Sequence, residues 1–180
     1  MKRLRRPARA ESGYSLVELL VVTAILTGIL AGLTTAFVEG SKSELDTNRR
    51  VQSQIQANLA LAKLRQDVHC ATSGSISSAT VTLTGVGCWP TASDHDHTSW
   101  CTVASGSQYN LYRLSGTSCN STGKLYATNI VSSPVFTYTA SVSGTSLAKV
   151  HIDITTNANP AKTYDAFELV DDIVLRNSTR

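Results

Sequence analysis

The residues best equipped for chemistry are Asp94-His95-Asp96-His97, between Pro90 and Trp100, and the four thiols Cys70, Cys88, Cys101 and Cys119. Alternating carboxylates and imidazoles converge on a metal in a tight turn, but an extended loop splays them apart. The stretch therefore reads as a solvated polar loop between two cysteines. A zinc site combining the thiols with His95 or His97 is disfavoured because no C-x-x-C pair occurs. The thiols are instead expected to form two disulfides. Three connectivities are open, and the sequence-local pairing, Cys70 with Cys88 and Cys101 with Cys119, is preferred. Each bridge would contribute about 2–4 kcal/mol, chiefly by restricting the unfolded chain. Asp171-Asp172 could touch a cation and read as strand-edge charges. No nucleophile elbow, P-loop or dinucleotide fingerprint occurs, and Gly144-Thr145-Ser146-Leu147-Ala148 is a near miss in the wrong context. No enzymatic activity, metal or cofactor is expected.

The other reactive group is Glu18, near the start of a long apolar run. Residues 19–38 are twenty consecutive uncharged positions, and the apolar character begins at Tyr14. A helix of that length crosses about 30 Å of hydrocarbon. Lys2, Arg3, Arg5, Arg6 and Arg9 precede it against Glu11 alone, which orients the N-terminus inside. Everything after Val38 then lies outside the cytoplasm, where disulfides persist. A carboxylate within such a helix costs about 2.5–3.5 kcal/mol, so it is kept for a partner. A secretory signal peptide cut near Thr34-Thr35-Ala36 is the competing reading, but its apolar region would be only about 7–15 residues long. An uncleaved single-pass anchor is the stronger rival.

Composition bounds the remainder. With 180 residues and 42% apolar content, the chain has room for the anchor and one small extracytoplasmic domain. Its formal charge of +3 resides in the basic N-terminal cluster. Without residues 1–13, the 16 Lys and Arg fall to 11 and the 13 Asp and Glu to 12, a net charge of −1. No basic stripe is left to support direct nucleic-acid binding.

Beyond the apolar run, Ser41 followed by Glu44 reads as a capping box or a brief interruption at Gly40, with helix resuming to about Val68. Val51, Ile55, Leu59 and Ala62 fall on one side of that helix. Ala57, Leu61, Leu64 and Val68 fall roughly opposite, so two partners are needed. Both stripes could pack within one protomer. The expected division gives the later stripe to the protein's own β-domain and the earlier one to neighbouring helices. From Cys70 the chain turns to Ser, Thr, Gly, Val and Tyr in alternating runs at residues 79–84, 100–103, 108–114, 124–129, 135–140, 149–155 and 166–175. In 149–155, Val150, Ile152 and Ile154 face one way and His151, Asp153 and Thr155 the other. Residues 104–107 and Gly144 are expected at turns.

The window Arg9-Ala10-Glu11-Ser12-Gly13-Tyr14-Ser15-Leu16-Val17-Glu18-Leu19-Leu20 resembles the processing site of type IV prepilins and pseudopilins. The resemblance implies cleavage after Gly13 by a membrane prepilin peptidase, methylation of the new Tyr14 amine, and retention of the helix as anchor and later filament core. It also implies that Glu18 pairs with the N-terminal amine of a neighbouring subunit. On a continuous helix the Tyr14 ammonium would stand one turn before Glu18 on the same face. Two departures are visible: Tyr14 stands where phenylalanine or methionine is usual, and no proline occurs between Pro7 and Pro90. The missing mid-helix proline points to a minor component.

Leu64-Arg65-Gln66-Asp67-Val68, Tyr109-Asn110-Leu111-Tyr112-Arg113, Val135-Phe136-Thr137-Tyr138 and Ile173-Val174-Leu175-Arg176-Asn177 further resemble the J-type pseudopilins of type II secretion and the W-type minor pilins. The implied fold is α+β and pilin-like, a long N-terminal helix packed on a C-terminal antiparallel sheet. Its expected parts are a leader (1–13), a membrane-spanning and filament-core helix (14–40), an amphipathic helix (41–70) and an extracytoplasmic β-domain (71–180). The implied role is a minor subunit of the inner membrane that initiates or caps a pseudopilus or pilus. Its partners would be other minor subunits and the major subunit. The alternative is a single-pass anchored β-domain serving as a receptor or binding module.

Overall fold

The computed structural model describes residues 13–85, 97–159, 162 and 166–178. Its first element is a helix, α1 (Leu16–Cys70), 55 residues long. No proline removes a backbone donor along this length, and Gly28, Gly32 and Gly40 each cost about 1 kcal/mol relative to alanine without breaking the hydrogen-bond ladder. The capping box or interruption expected at residues 40–44 is corrected by this continuity. Ser41 and Glu44 lie in the helix interior, where the ladder already satisfies the backbone donors that a cap would serve. By internal contacts the chain divides after Leu45 into two compact units.

In the second unit the end of α1 is followed by eight antiparallel strands among the described residues: β1 (Ser73–Ser77), β2 (Thr80–Thr84), β3 (His97–Ser105), β4 (Gln108–Ser115), β5 (Lys124–Ile130), β6 (Phe136–Thr139), β7 (Lys149–Thr156) and β8 (Phe167–Val174). The order is β1-β2-β3-β4-β5-β7-β6, with β8 on the other side of β7. The fold is α+β, with a helix packed on a sheet. The turn expected at residues 104–107 joins β3 to β4, where Ser105 pairs with Gln108 and Gly106 takes a φ of 66°. Gly144, at a φ of 73°, turns the chain between the paired Val142 and Ser146. Strands β2 to β8 cover the seven expected runs, and β1 is an addition. Its Ser-Gly-Ser-Ile-Ser offers one apolar side chain, so backbone pairing with β2, from Ser73–Thr84 to Ser77–Thr80, holds it.

Alternation carries the core, which includes Val150, Ile152 and Ile154 of β7 and Val81 and Leu83 of β2. In β3 the residues from Thr98 to Thr102 are buried on both faces. Trp100 lies in the hydrophobic core. Ser99 and Cys101, on the opposite face, meet the segment after β4: Ser99 Oγ donates to the Gly116 carbonyl at 2.6 Å, and Cys101 bonds to Cys119.

Candidate functional site

The first unit presents the residues read as a processing and assembly site. Gly13, Tyr14 and Ser15 precede the helix, and Ser15 supplies the carbonyl that accepts the Leu19 N–H at 3.2 Å. In the uncut chain Tyr14 therefore stands two residues before the helix begins at Leu16. Serine favours the N-cap, and a glycine just before it adds backbone freedom that opposes helix. Glu18 lies in the first turn, where the helix N-terminus favours negative charge. Ser15 and Glu18 also have the spacing of a capping box.

Past Glu18 the helix is long and apolar enough to cross a membrane, with a mean hydropathy of 2.3 over its most apolar window and none of that window buried. Its hydroxyls find partners within the helix: Thr23 donates to the Leu19 carbonyl at 3.0 Å, Thr27 to Ala24 at 2.9 Å, Thr34 to Leu30 at 2.7 Å and Thr35 to Gly32 at 2.8 Å. Satisfied hydroxyls remove most of the cost of placing threonine in hydrocarbon. Glu18 is then the one ionisable carboxylate between Ser15 and Val38.

In the second unit α1 has two faces. Ala57, Ala60, Leu61, Leu64 and Val68 are buried in the core with the sheet, as expected for the later stripe. On the other side Val51, Ile55 and Leu59 are 45%, 54% and 61% exposed. This stripe runs into a shallow groove of about 500 Å³ lined by Leu59, Ala62, Leu125 and Tyr126, with Lys63 and Lys124 beside it. The Lys124 ammonium stands 5.3 Å from the centre of the Tyr126 ring.

Between these faces lies a buried carboxylate. Asp67 is fully inaccessible; its Oδ2 accepts from Arg113 Nε at 2.6 Å and from Trp100 Nε1 at 3.0 Å, and Lys63 Nζ is 3.5 Å from Oδ1. The cluster ties α1 to β3 and β4, and the fully inaccessible Trp100 indole N–H is satisfied by it. Nothing in the sequence pairs Asp67 with Arg113 or Trp100. The readable signal was a charge between Leu64 and Val68 on the stripe assigned to the core.

The end of α1 is fastened to β8. Arg65 Nε donates to Asp171 Oδ2 at 2.8 Å, His69 Nδ1 is 3.0 Å from the Val174 carbonyl, and Asn177 Nδ2 donates to the Cys70 carbonyl at 3.2 Å. Asp172 pairs with His151 at 2.7 Å and Lys149 at 3.3 Å. The His151 hydrogen bond, with a smaller one from Lys149, holds the Asp172 carboxyl below its ordinary range. Both aspartates are thus occupied by neighbouring cations.

Cys101 and Cys119 form a disulfide with a Cα separation of 5.9 Å. Cys70 is also disulfide-bonded, and Cys88, its expected partner, lies outside the described residues. So do Asp94, His95 and Asp96. His97 opens β3 with Nδ1 3.3 Å from Thr84 Oγ1. Among the described residues no group of three His, Cys, Asp or Glu is placed to hold a metal ion. Compared with known proteins, the chain matches no family model, no curated protein and no solved structure.

Proposed function

We propose that this protein is a minor pseudopilin or minor pilin, a structural subunit held in the inner membrane and then drawn into a filament that it helps to start or cap. One observation carries the reading. A single helix joins an apolar, unburied first half to a second half with one apolar face in the domain core and another open to solvent. A membrane anchor needs the first property alone. A filament subunit uses both, because the surface that lipid covers before assembly is covered by neighbouring helices afterwards, and the open stripe extends that surface.

Glu18 supplies direction in this scheme. Cleavage after Gly13 by a prepilin peptidase leaves a methylated ammonium on Tyr14. Docked against the Glu18 carboxylate of a neighbour, that ammonium relieves the cost of a charge in hydrocarbon. Outside the membrane, the disulfide and the Asp67 cluster keep the small domain folded.

The test is the mass of the mature N-terminus together with Glu18→Ala. The mature chain is expected to begin at Tyr14 with one added methyl. Glu18→Ala is expected to insert and be processed normally yet fail to crosslink with its partner subunits. An intact leader in peptidase-competent cells, or wild-type assembly by Glu18→Ala, returns the protein to the anchored binding module.

A further inference from the structure

Away from the apolar stripe, a second concavity of about 200 Å³ lies between the start of the helical part of the second unit and the end of β5. Arg49, Gln52, Ser53 and Gln56 line it from α1, and Thr128 and Asn129 from β5. Ala158 is its one apolar neighbour among the described residues. Side chains there are fixed from within. Thr128 Oγ1 donates to Gln56 Oε1 at 3.0 Å, which turns the Gln56 amide NH₂ away from that bond. Ser53 is 5% exposed, and its Oγ receives a long contact from Asn129 Nδ2 at 3.4 Å. Asn129 itself sits at a φ of 60°, in the left-handed region. The nearest acidic side chain along the helix, Asp46, is engaged by Lys162 at 2.7 Å.

We infer that this cleft is a binding site for a carboxylate. Among the described residues a guanidinium, three primary amides and a nearly buried hydroxyl line it with no carboxylate, which makes the concavity rich in donors, with Arg49 supplying positive charge. Planar carboxylates suit that set, because arginine and amide groups present paired N–H donors to two oxygens. The volume is below the roughly 300–1,000 Å³ of pockets that enclose drug-sized ligands, so the site takes one such group and a short stem. The carboxylate can come from an acidic side chain of an adjoining protein or from a small free acid. The inference stands on the cleft and does not depend on the filament role.

Full-length ¹⁵N-labelled protein in detergent micelles, titrated separately with glutarate and with inorganic phosphate, tests this through the amides of Thr128 and Asn129. Saturable glutarate shifts at these positions are expected, weakened at least tenfold by Arg49→Gln and unchanged by Arg176→Gln at a distant site. A photocrosslinker at Gln52 in cells separates the sources. Capture of a peptide containing Asp or Glu identifies a side chain, and glutarate binding without capture identifies a free acid; both support the site. Saturation by phosphate but not glutarate, or no saturation by either, overturns it. Neither result bears on the N-terminal mass that tests the filament role.

Discussion

Along one uninterrupted helix, none of residues 16–45 is buried by the protomer, whereas residues 46–70 bury a stripe that includes Ala57, Leu61, Leu64 and Val68. The helix geometry is the same, so the difference lies in what surrounds each side chain. From Leu19 to Val38 the first half is uncharged around its whole circumference and favours no particular face, as suits a lipid or multi-helix environment. The second half places charges and amides on its flanks, so a sheet can cover one side while the other stays wet. Helix formation and burial are thus separate decisions, the first local and the second made by partners.

Substitutions at the buried end of that contrast should have the largest effects. Asp67→Ala leaves the Arg113 guanidinium and the Trp100 N–H without their acceptor, and about 3–5 kcal/mol of stability should be lost. Denaturant unfolding of the full-length protein, followed by tryptophan fluorescence, reads this. A loss below about 1 kcal/mol would mean that the cluster does not join helix to sheet. Leu64→Ala should cost about 2–5 kcal/mol by opening a cavity. Removing the Cys101–Cys119 bridge by the paired substitutions Cys101→Ala and Cys119→Ala should cost about 2–4 kcal/mol, and a double variant as stable as the parent in denaturant unfolding would contradict it.

On the open face the same chemistry should be nearly silent. Leu59→Ala should change monomer stability by less than about 0.5 kcal/mol. Leu59→Asp should likewise leave folding intact while weakening crosslinks to partner subunits. If Leu59→Ala destabilised the monomer as much as Leu64→Ala, the two-face description would fail. The smallest effect concerns pH. The folded Asp172 carboxyl lies below its ordinary value of 3.8, first through His151 and then through Lys149. Its contribution is therefore present above that value and is lost as pH falls through the lower folded value. Asp172→Asn should flatten this shallow acid limb, and an NMR titration of the carboxyl at its ordinary value would remove the effect.

The alternating runs were legible residue by residue, because a strand covered on one face must alternate. The pattern at Val150, Ile152 and Ile154 is found buried as read. β1 was not legible, since its serines and glycine show no period, and only the neighbouring β2 makes them a strand. Gly40 and Ser41 misled in the opposite direction, because residues that weaken or cap an isolated helix are tolerated where the ladder already runs through them. For the candidate site, Glu18 and the open stripe could be read from charge and spacing alone. The Ser53 cleft could not, because Thr128 and Asn129 are more than seventy positions away in sequence.

By itself the sequence determined the apolar segment, the position of its single carboxylate, the two helix stripes and most strands. These follow from side-chain hydropathy repeated at the period of local backbone geometry. Only the tertiary structure revealed that Asp67 meets Arg113 and Trp100, and it selected the Cys101–Cys119 pairing and the covered helix face from alternatives that the sequence had ranked but left open. Each depends on strand order and register, which bring distant residues within bonding distance, and no local period records them.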